Sequence, residues 1–395
     1  MATPSHGLQG EPAMRKANFL TITGAALGAS VLLVAPVAMA QDAERPQLTG
    51  TWTNSSLTGL TRPRGVEKLV VTAAEAAEIA ASTSIAGLPA DEVEAETDSS
   101  GEAPPAGSFD FGLRGYNEFW IDPGSTLANV KGEYRTSYVV IPENGQVPRL
   151  ENPNPDFERK SYGARYVTGV GDASGPEAVP LAERCLLGFG NTSGPGMMGT
   201  LYNSTYQFVQ TDDYVMILVE MVHDARIIPT FDSAEEARAN RRPDVHKQWL
   251  GDSVGWYEGD TLIVETTNIK PLQMSESSIP ITAEGKIIER FSRFADDEIF
   301  YQFTVEDANL YSQSWTAELS FRPMQERMYE YACHEGNYAL PGILAGARRQ
   351  EVMEEFGSDC YPTRLWKNES QHSCIERWLF CICCLPVVAA AGANR

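Results

Sequence analysis

Three short runs in this chain concentrate the side chains that are able to do chemistry. The first is Glu220-Met-Val-His223-Asp224-Ala-Arg226. A histidine titrates near neutrality and can carry a proton. An arginine two residues from an aspartate can hold that carboxylate ionised and oriented. Read as a continuing strand, the run places Glu220, Asp224 and Arg226 on one face and His223 on the other. The alternative reading is a structural Asp–Arg pair beside a hydrogen-bonded histidine. The second run is Tyr331-Ala-Cys333-His334-Glu335-Gly336-Asn337-Tyr338. It packs strong hydrogen-bonding groups around a glycine that permits a sharp turn, as a ligand-facing loop or as a turn stapled by Cys333 and capped by Asn337. The third spans His246 to Thr261 and carries Trp249, Asp252, Trp256 and Tyr257. Its aromatic rings are able to stack on a sugar or another ring, or to lie in the core.

Two functional readings follow. In the first, the protein binds a small organic molecule, and as an enzyme it would convert it as a cofactor-free hydrolase, lyase or isomerase. His223 and His334 carry protons, Asp224 and Glu335 orient them, and Arg226 anchors an anionic group. Trp249, Asp252, Trp256, Tyr257 and Asn337 complete the ligand contacts. In the second, a non-catalytic carbohydrate-binding or envelope-assembly protein uses Trp249, Trp256 and Tyr257 as exposed stacking platforms. No H-E-x-x-H run, P-loop or strand-following G-x-G-x-x-G is present, so the motifs for those zinc, nucleotide and dinucleotide sites are missing. His223, His246 and His334 have no partner at helical or hairpin ligand spacing, and no metal site is expected.

The elements that must position these groups are mostly strands. Residues 260–268, 286–294, 298–305, 315–322 and 327–333 alternate apolar and polar side chains. Ile299, Tyr301, Phe303 and Val305 share one face, and so do Trp315, Ala317, Leu319 and Phe321. Period-two alternation marks strands with one wet face. Further strands are expected over 134–141, 206–210 and 214–222, the last two joined by Asp212-Asp213. Thr72-Ala-Ala-Glu75 is a capping box ahead of an Ala-rich helix, Ser233-Ala-Glu-Glu236 caps a short one, and another follows near 347–356. The fold expected is mainly β: a large antiparallel barrel or curved meander sheet with a few short helices. Such a barrel would enclose a ligand-sized cavity.

Charge and termini bound the setting. The net charge of −22 repels phosphate backbones and anionic lipid, so neither nucleic acid nor a charged membrane surface is an expected partner. Met14-Arg15-Lys16, an apolar stretch from Phe19 to Val34 and Ala38-Met39-Ala40 read as a secretory signal over 14–40, too short in its core for a stable membrane span. A periplasmic or secreted location follows. Residues 1–13 read as an extension upstream of the native start. Residues 41–360 read as one β-rich domain with an acidic, flexible loop at 88–108. Residues 361–395, with Cys374, Cys381, Cys383 and Cys384, read as a disordered or artefactual apolar tail. In an oxidising compartment Cys185 and Cys333 are candidates for a disulfide. No oligomeric state is legible.

The motifs His223-Asp-Ala-Arg226, Trp249-Leu-Gly-Asp-Ser253, Glu258-Gly-Asp-Thr-Leu262 and Tyr331 to Tyr338 occur together in a chain that resembles a group of exported proteins of environmental bacteria. Thr266-Thr-Asn268, Glu289-Arg-Phe291 and Tyr329-Glu330 extend the resemblance. It covers about residues 45–350 and implies a shared domain rather than an activity.

Overall fold

The computed structural model describes residues 45–82, 123–151 and 171–356. The signal at 14–40, the residues before it, the loop at 88–108 and the tail at 361–395 lie outside the described residues. Among the described residues thirteen strands are formed: β1 (Gly50–Thr53), β2 (Val70–Val71), β3 (Asn129–Val130), β4 (Glu133–Arg135), β5 (Val139–Ile141), β6 (Thr205–Gln210), β7 (Tyr214–Val219), β8 (Ala225–Phe231), β9 (Asp252–Glu258), β10 (Thr261–Thr267), β11 (Lys286–Ala295), β12 (Glu298–Glu306) and β13 (Trp315–Pro323).

Nine of them close a barrel in the order β1-β6-β7-β8-β9-β10-β11-β12-β13, and β1 returns to β13 through Trp52↔Pro323 and Thr53↔Arg322. β5 adds to the outside of the ring on the far part of β13. Closure removes the exposed edges that a long meander would otherwise present. All ring pairings are antiparallel except β8–β9, which run parallel. The meander is therefore two runs, β6–β8 and β9–β13, joined by a crossover over 232–251. That crossover carries the helix Ala234–Ala239, capped by Ser233, whose Oγ accepts from the Glu236 N–H at 3.2 Å. A separate sheet, β2-β4-β3, packs on the helix Ala73–Ser82 through Val71, Ala76 and Leu127.

Alternation decides what fills the barrel. Ile287, Phe291, Ile299, Tyr301, Phe303, Val305, Ala317 and Phe321 point inward and are fully buried. Their rings meet one another and those of Tyr206 and Phe208 edge-on or tilted, with centroids 4.8–5.9 Å apart. Among the described residues these rings pack the barrel interior. Each such side chain contributes about 1.5–3 kcal/mol.

One expected strand ends early and another is absent. Residues 220–222 do not continue β7: Leu218 pairs with Ala225, so the chain reverses between them. Residues 327–333 form no ladder; they run extended into the four-residue helix Cys333–Gly336.

The crossover helix covers the outer face of β9 and β10. Ala237 packs on Val254, Trp256 and Ile263. Beside them the nearly buried Glu265 meets Arg238 at 2.9 Å and also Arg241. Burial pushes the Glu265 carboxyl up, but the Arg238 hydrogen bond and the charge of Arg241 outweigh it, leaving the group below the usual glutamate range. A depressed carboxyl stabilises the fold at neutral pH and loses that effect as pH falls through its folded value. Because Arg238 is half exposed, Glu265→Gln is expected to cost about 1 kcal/mol in urea unfolding at pH 7. The gap from the parent protein should close as pH falls below about 4. A gap constant with pH would show that the ion pairs contribute nothing.

Candidate functional site

One polar network lies inside the barrel. Arg226 of β8 is 3 % exposed and Glu289 of β11 is fully buried. The guanidinium forks onto the carboxylate, with Nη1 donating to Oε1 at 2.9 Å and Nη2 to Oε2. Nη2 also donates to Ser253 Oγ of β9 and Thr266 Oγ1 of β10, both at 3.3 Å. Tyr301 of β12 donates its hydroxyl to Glu289 Oε1 at 2.6 Å and accepts the Met197 N–H at 2.8 Å. Burial, and then the Glu289 charge, push the Tyr301 hydroxyl well above its ordinary range. Burial alone would lower the Arg226 guanidinium; Glu289 more than reverses that. The buried loop Asn191–Gly199 inserts against the pair, and the Gly196 N–H reaches Glu289 at 3.2 Å. Glycine is required at its apex: a Cβ on Gly194 would lie 2.8 Å from Met197 and 3.0 Å from Arg226 Nη1.

The β7–β8 turn grips two further segments. Val222 (φ 59) and His223 (φ 55) both take the left-handed conformation, a state that costs a β-branched residue about 1–3 kcal/mol and needs support from its surroundings. Glu220 Oε1 accepts the Tyr329 N–H at 2.8 Å, and His223 Nε2 accepts the Tyr331 N–H at 2.9 Å. Two side chains thus hold alternate amides of one extended segment, as a neighbouring strand would. The same segment is anchored by the Cys185–Cys333 disulfide, with Cα atoms 5.7 Å apart. Asn337 donates to Glu183 O at 2.8 Å and accepts the Leu340 N–H at 3.1 Å, beginning the helix Ala339–Phe356. Asp224 holds the inserted loop: its Oδ2 accepts the Gly188 N–H at 3.0 Å and the Ser193 hydroxyl. Burial raises the Asp224 carboxyl, and its partners Ser193, Gly188 and His223 offset this only in part.

A cleft of about 280 Å³ opens beside this network, between the starts of β8 and β9. Its walls are Ala225, Ile227 and Pro229 on one bank and Gln248 to Val254 on the other, with Asn240 and Arg242 above. Asp252 there accepts the Arg242 N–H at 2.9 Å, and the Arg242 guanidinium lies 3.8 Å from its carboxylate.

The structure distributes the expected site residues as follows. His223, Asp224 and Arg226 are close in sequence but work separately: one holds a strap, one a loop, one a core carboxylate. Arg226 already has an anion, Glu289. His334 and Glu335 are exposed on the short helix. Trp256 is buried beneath the crossover helix and donates to Glu258 at 2.8 Å. Tyr257 lies at the opposite end of the barrel, where its hydroxyl accepts from Gln210 at 3.0 Å. The three-aromatic platform is therefore not formed; Trp249 alone borders the cleft, with Lys270 over its ring at 4.3 Å. Glu289 is not among the site residues expected from the sequence. Its signal is a carboxylate at an apolar position of an alternating strand, between Ile287 and Phe291. Gly251-Asp252-Ser253-Val254-Gly255 has the spacing of a nucleophile elbow, yet Ser253 sits within β9 and shares its hydroxyl with Thr266 at 2.8 Å. Among the described residues no group of three or more His, Cys, Asp or Glu side chains is placed to hold a metal ion. No family model, curated protein or solved structure matches the chain.

Removing one member of the buried pair strands a charge. Glu289→Ala is expected to lose about 3–5 kcal/mol, whereas the double change Arg226→Met with Glu289→Leu should stay within about 1–2 kcal/mol of the parent or exceed it. Equal losses in the single and double variants, measured by urea unfolding, would contradict this. Asp224→Asn tests the loop clamp. A raised acid binds its proton more tightly when folded, so its cost grows as pH climbs from the unfolded pKa of about 4. The melting temperature of the asparagine variant relative to the parent should therefore be higher at pH 7 than at pH 4. The reverse trend would show that the carboxylate form is the stabilising one.

Proposed function

We propose that this protein is a non-catalytic binding module of an exported kind, and that it takes a small, polar organic molecule of no net charge in the cleft between β8 and β9. The observation that carries this reading is the contrast between the two spaces. The barrel interior is filled by its own rings, while the cleft presents Asn240, Arg242, Gln248, Trp249 and Asp252 around an open volume. Amide, guanidinium and carboxylate groups offer donors and acceptors in alternation, the arrangement that orients a polar ligand. Arg242 and Asp252 balance each other, as do Arg226 and Glu289, so the cleft favours a neutral or zwitterionic guest. Catalysis by His223 is disfavoured by the backbone amide that already occupies its Nε2. The apolar stretch within 14–40 and the Cys185–Cys333 disulfide support export to an oxidising compartment.

A thermal-shift screen of neutral sugars, polyols, amino acids and short peptides tests the proposal on purified protein. A ligand at one hundred times its Kd should add about 2.7 kcal/mol of stability. Gln248→Ala and Trp249→Ala should each weaken binding about tenfold, the effect of losing one good contact, while His334→Ala should leave it unchanged. Binding that survives both cleft substitutions, or a screen with no stabilising compound, would sink the proposal.

A further inference from the structure

We infer that the Cys185–Cys333 disulfide is a redox latch: a dithiol reductant opens it, and the strap over 324–338 then lifts from the barrel while the barrel stays closed. This goes beyond the binding reading and does not depend on the cleft. After β13 the Met324 N–H donates to Thr51 O at 2.9 Å, and from there the strap joins no ladder. Glu220 and His223 hold its backbone through one hydrogen bond each. Tyr331 is half-buried against the core, whereas Gln325, Glu326, Arg327, Tyr329 and Glu330 are exposed. A single hydrogen bond of this kind is worth about two- to tenfold in an equilibrium. In the helix that follows, Arg348 donates to Ser174 O at 2.9 Å and Ala173 O at 3.3 Å, but no side chain from Ala339 to Glu354 is buried. Across this surface the covalent tie is the disulfide, which bridges 148 positions. The ring strands and the Arg226–Glu289 fork all precede Met324, so release of the strap removes none of the ring pairings.

Access and leaving-group chemistry set the direction of opening. Cys185 is 4 % exposed, whereas Cys333 is half-buried between exposed Ala332 and His334. Asn337 Nδ2 donates to Cys185 Sγ at 3.4 Å, a contact that strengthens when that sulfur carries the charge. A thiolate of the dithiol attacks Cys333 Sγ, the protein's S–S bond breaks and Cys185 leaves as the thiolate. The reductant's second thiolate then attacks the reductant sulfur of the mixed disulfide and expels Cys333 as a thiolate. Two electrons pass to the protein, two protons end on its sulfurs, and the reductant becomes a cyclic disulfide. Lifting the strap bares the Glu220 carboxylate and the His223 imidazole, two acceptors that it occupies in the oxidised protein.

The test uses full-length protein, oxidised and after dithiothreitol without denaturant, with alkylation and peptide mass mapping to follow Cys185 and Cys333. Strap amides, those of Tyr329 and Tyr331 included, should exchange hydrogen about tenfold faster or more once the bond is reduced. The near-ultraviolet circular dichroism of the packed rings should persist. Cys333→Ser should reproduce the fast exchange without reductant, which separates the latch from the chain's other cysteines. With the monothiol glutathione, the adduct should sit on Cys333. A disulfide that resists the dithiol overturns the inference, and so does strap exchange left unchanged by reduction or by Cys333→Ser. Loss of the near-ultraviolet signal on reduction, or a glutathione adduct on Cys185, overturns it as well.

Discussion

The fold depends on how one buried charge is matched by another. Arg226 and Glu289 lie on strands that are not neighbours, and their fork crosses the barrel interior. Ser253, Thr266 and Tyr301 attach β9, β10 and β12 to the same pair, and Gly196 attaches the inserted loop. A one-residue slip in any of these strands would turn its polar group to the outside and leave the others unmatched at several kcal/mol. The pair adds little net stability over an apolar core of the same volume, because desolvation offsets the attraction. Arg226 Nε lacks a hydrogen-bond partner, so even the matched state is incompletely satisfied. The role that fits these facts is register: the pair selects one closure of the barrel among the shifted ones that hydrophobic alternation alone would allow.

The motifs that drew attention as chemistry are explained as grips around that pair. Glu220 and His223 hold the strap, Asp224 holds the inserted loop, and Arg226 holds the core. Cys333 and Asn337 fasten the strap at its far end to Cys185 and Glu183. Each polar group sits at a strand end because that is where three segments without sheet partners must be tied down. The left-handed turn at Val222 and His223 persists because both flanks are held: the Glu220 N–H donates to Thr205 O at 2.9 Å, and the strap closes over the turn.

Sequence alternation made β10 to β13 legible to within a residue or so, since inward and outward faces differ there by whole side chains. The short helix at 234–239 was legible from its capping serine, and the helix at Ala73–Ser82 from a capping box in which Glu75 accepts the Thr72 N–H at 2.8 Å. The turn at 220–224 was not, because Val222 and His223 carry no mark of a left-handed backbone; the decisive contacts come from residues more than one hundred positions away. The fates of Trp256 and Tyr257 depend on what covers each face of β9. Both are aromatic and adjacent, yet alternation sends one beneath a helix and the other to the barrel's far end. Arg226 was readable as an anion holder, but its anion belongs to the protein.

The parallel pairing of β8 and β9 gives the barrel its asymmetry. An all-antiparallel ring would zip each strand to its neighbour along its whole length. Here the crossover brings β9 in alongside β8, with Thr230 opposite Gly255 and Phe231 opposite Trp256, and Arg226 reaches across to Ser253. The helix that makes this crossover is held to β9 and β10 by Ala237 and by Glu265 with its two arginines. That attachment fixes β9 independently of β8. The two strands are thus held from both sides of the wall: the Arg226–Glu289 fork secures β8 from inside while the crossover helix secures β9 from outside.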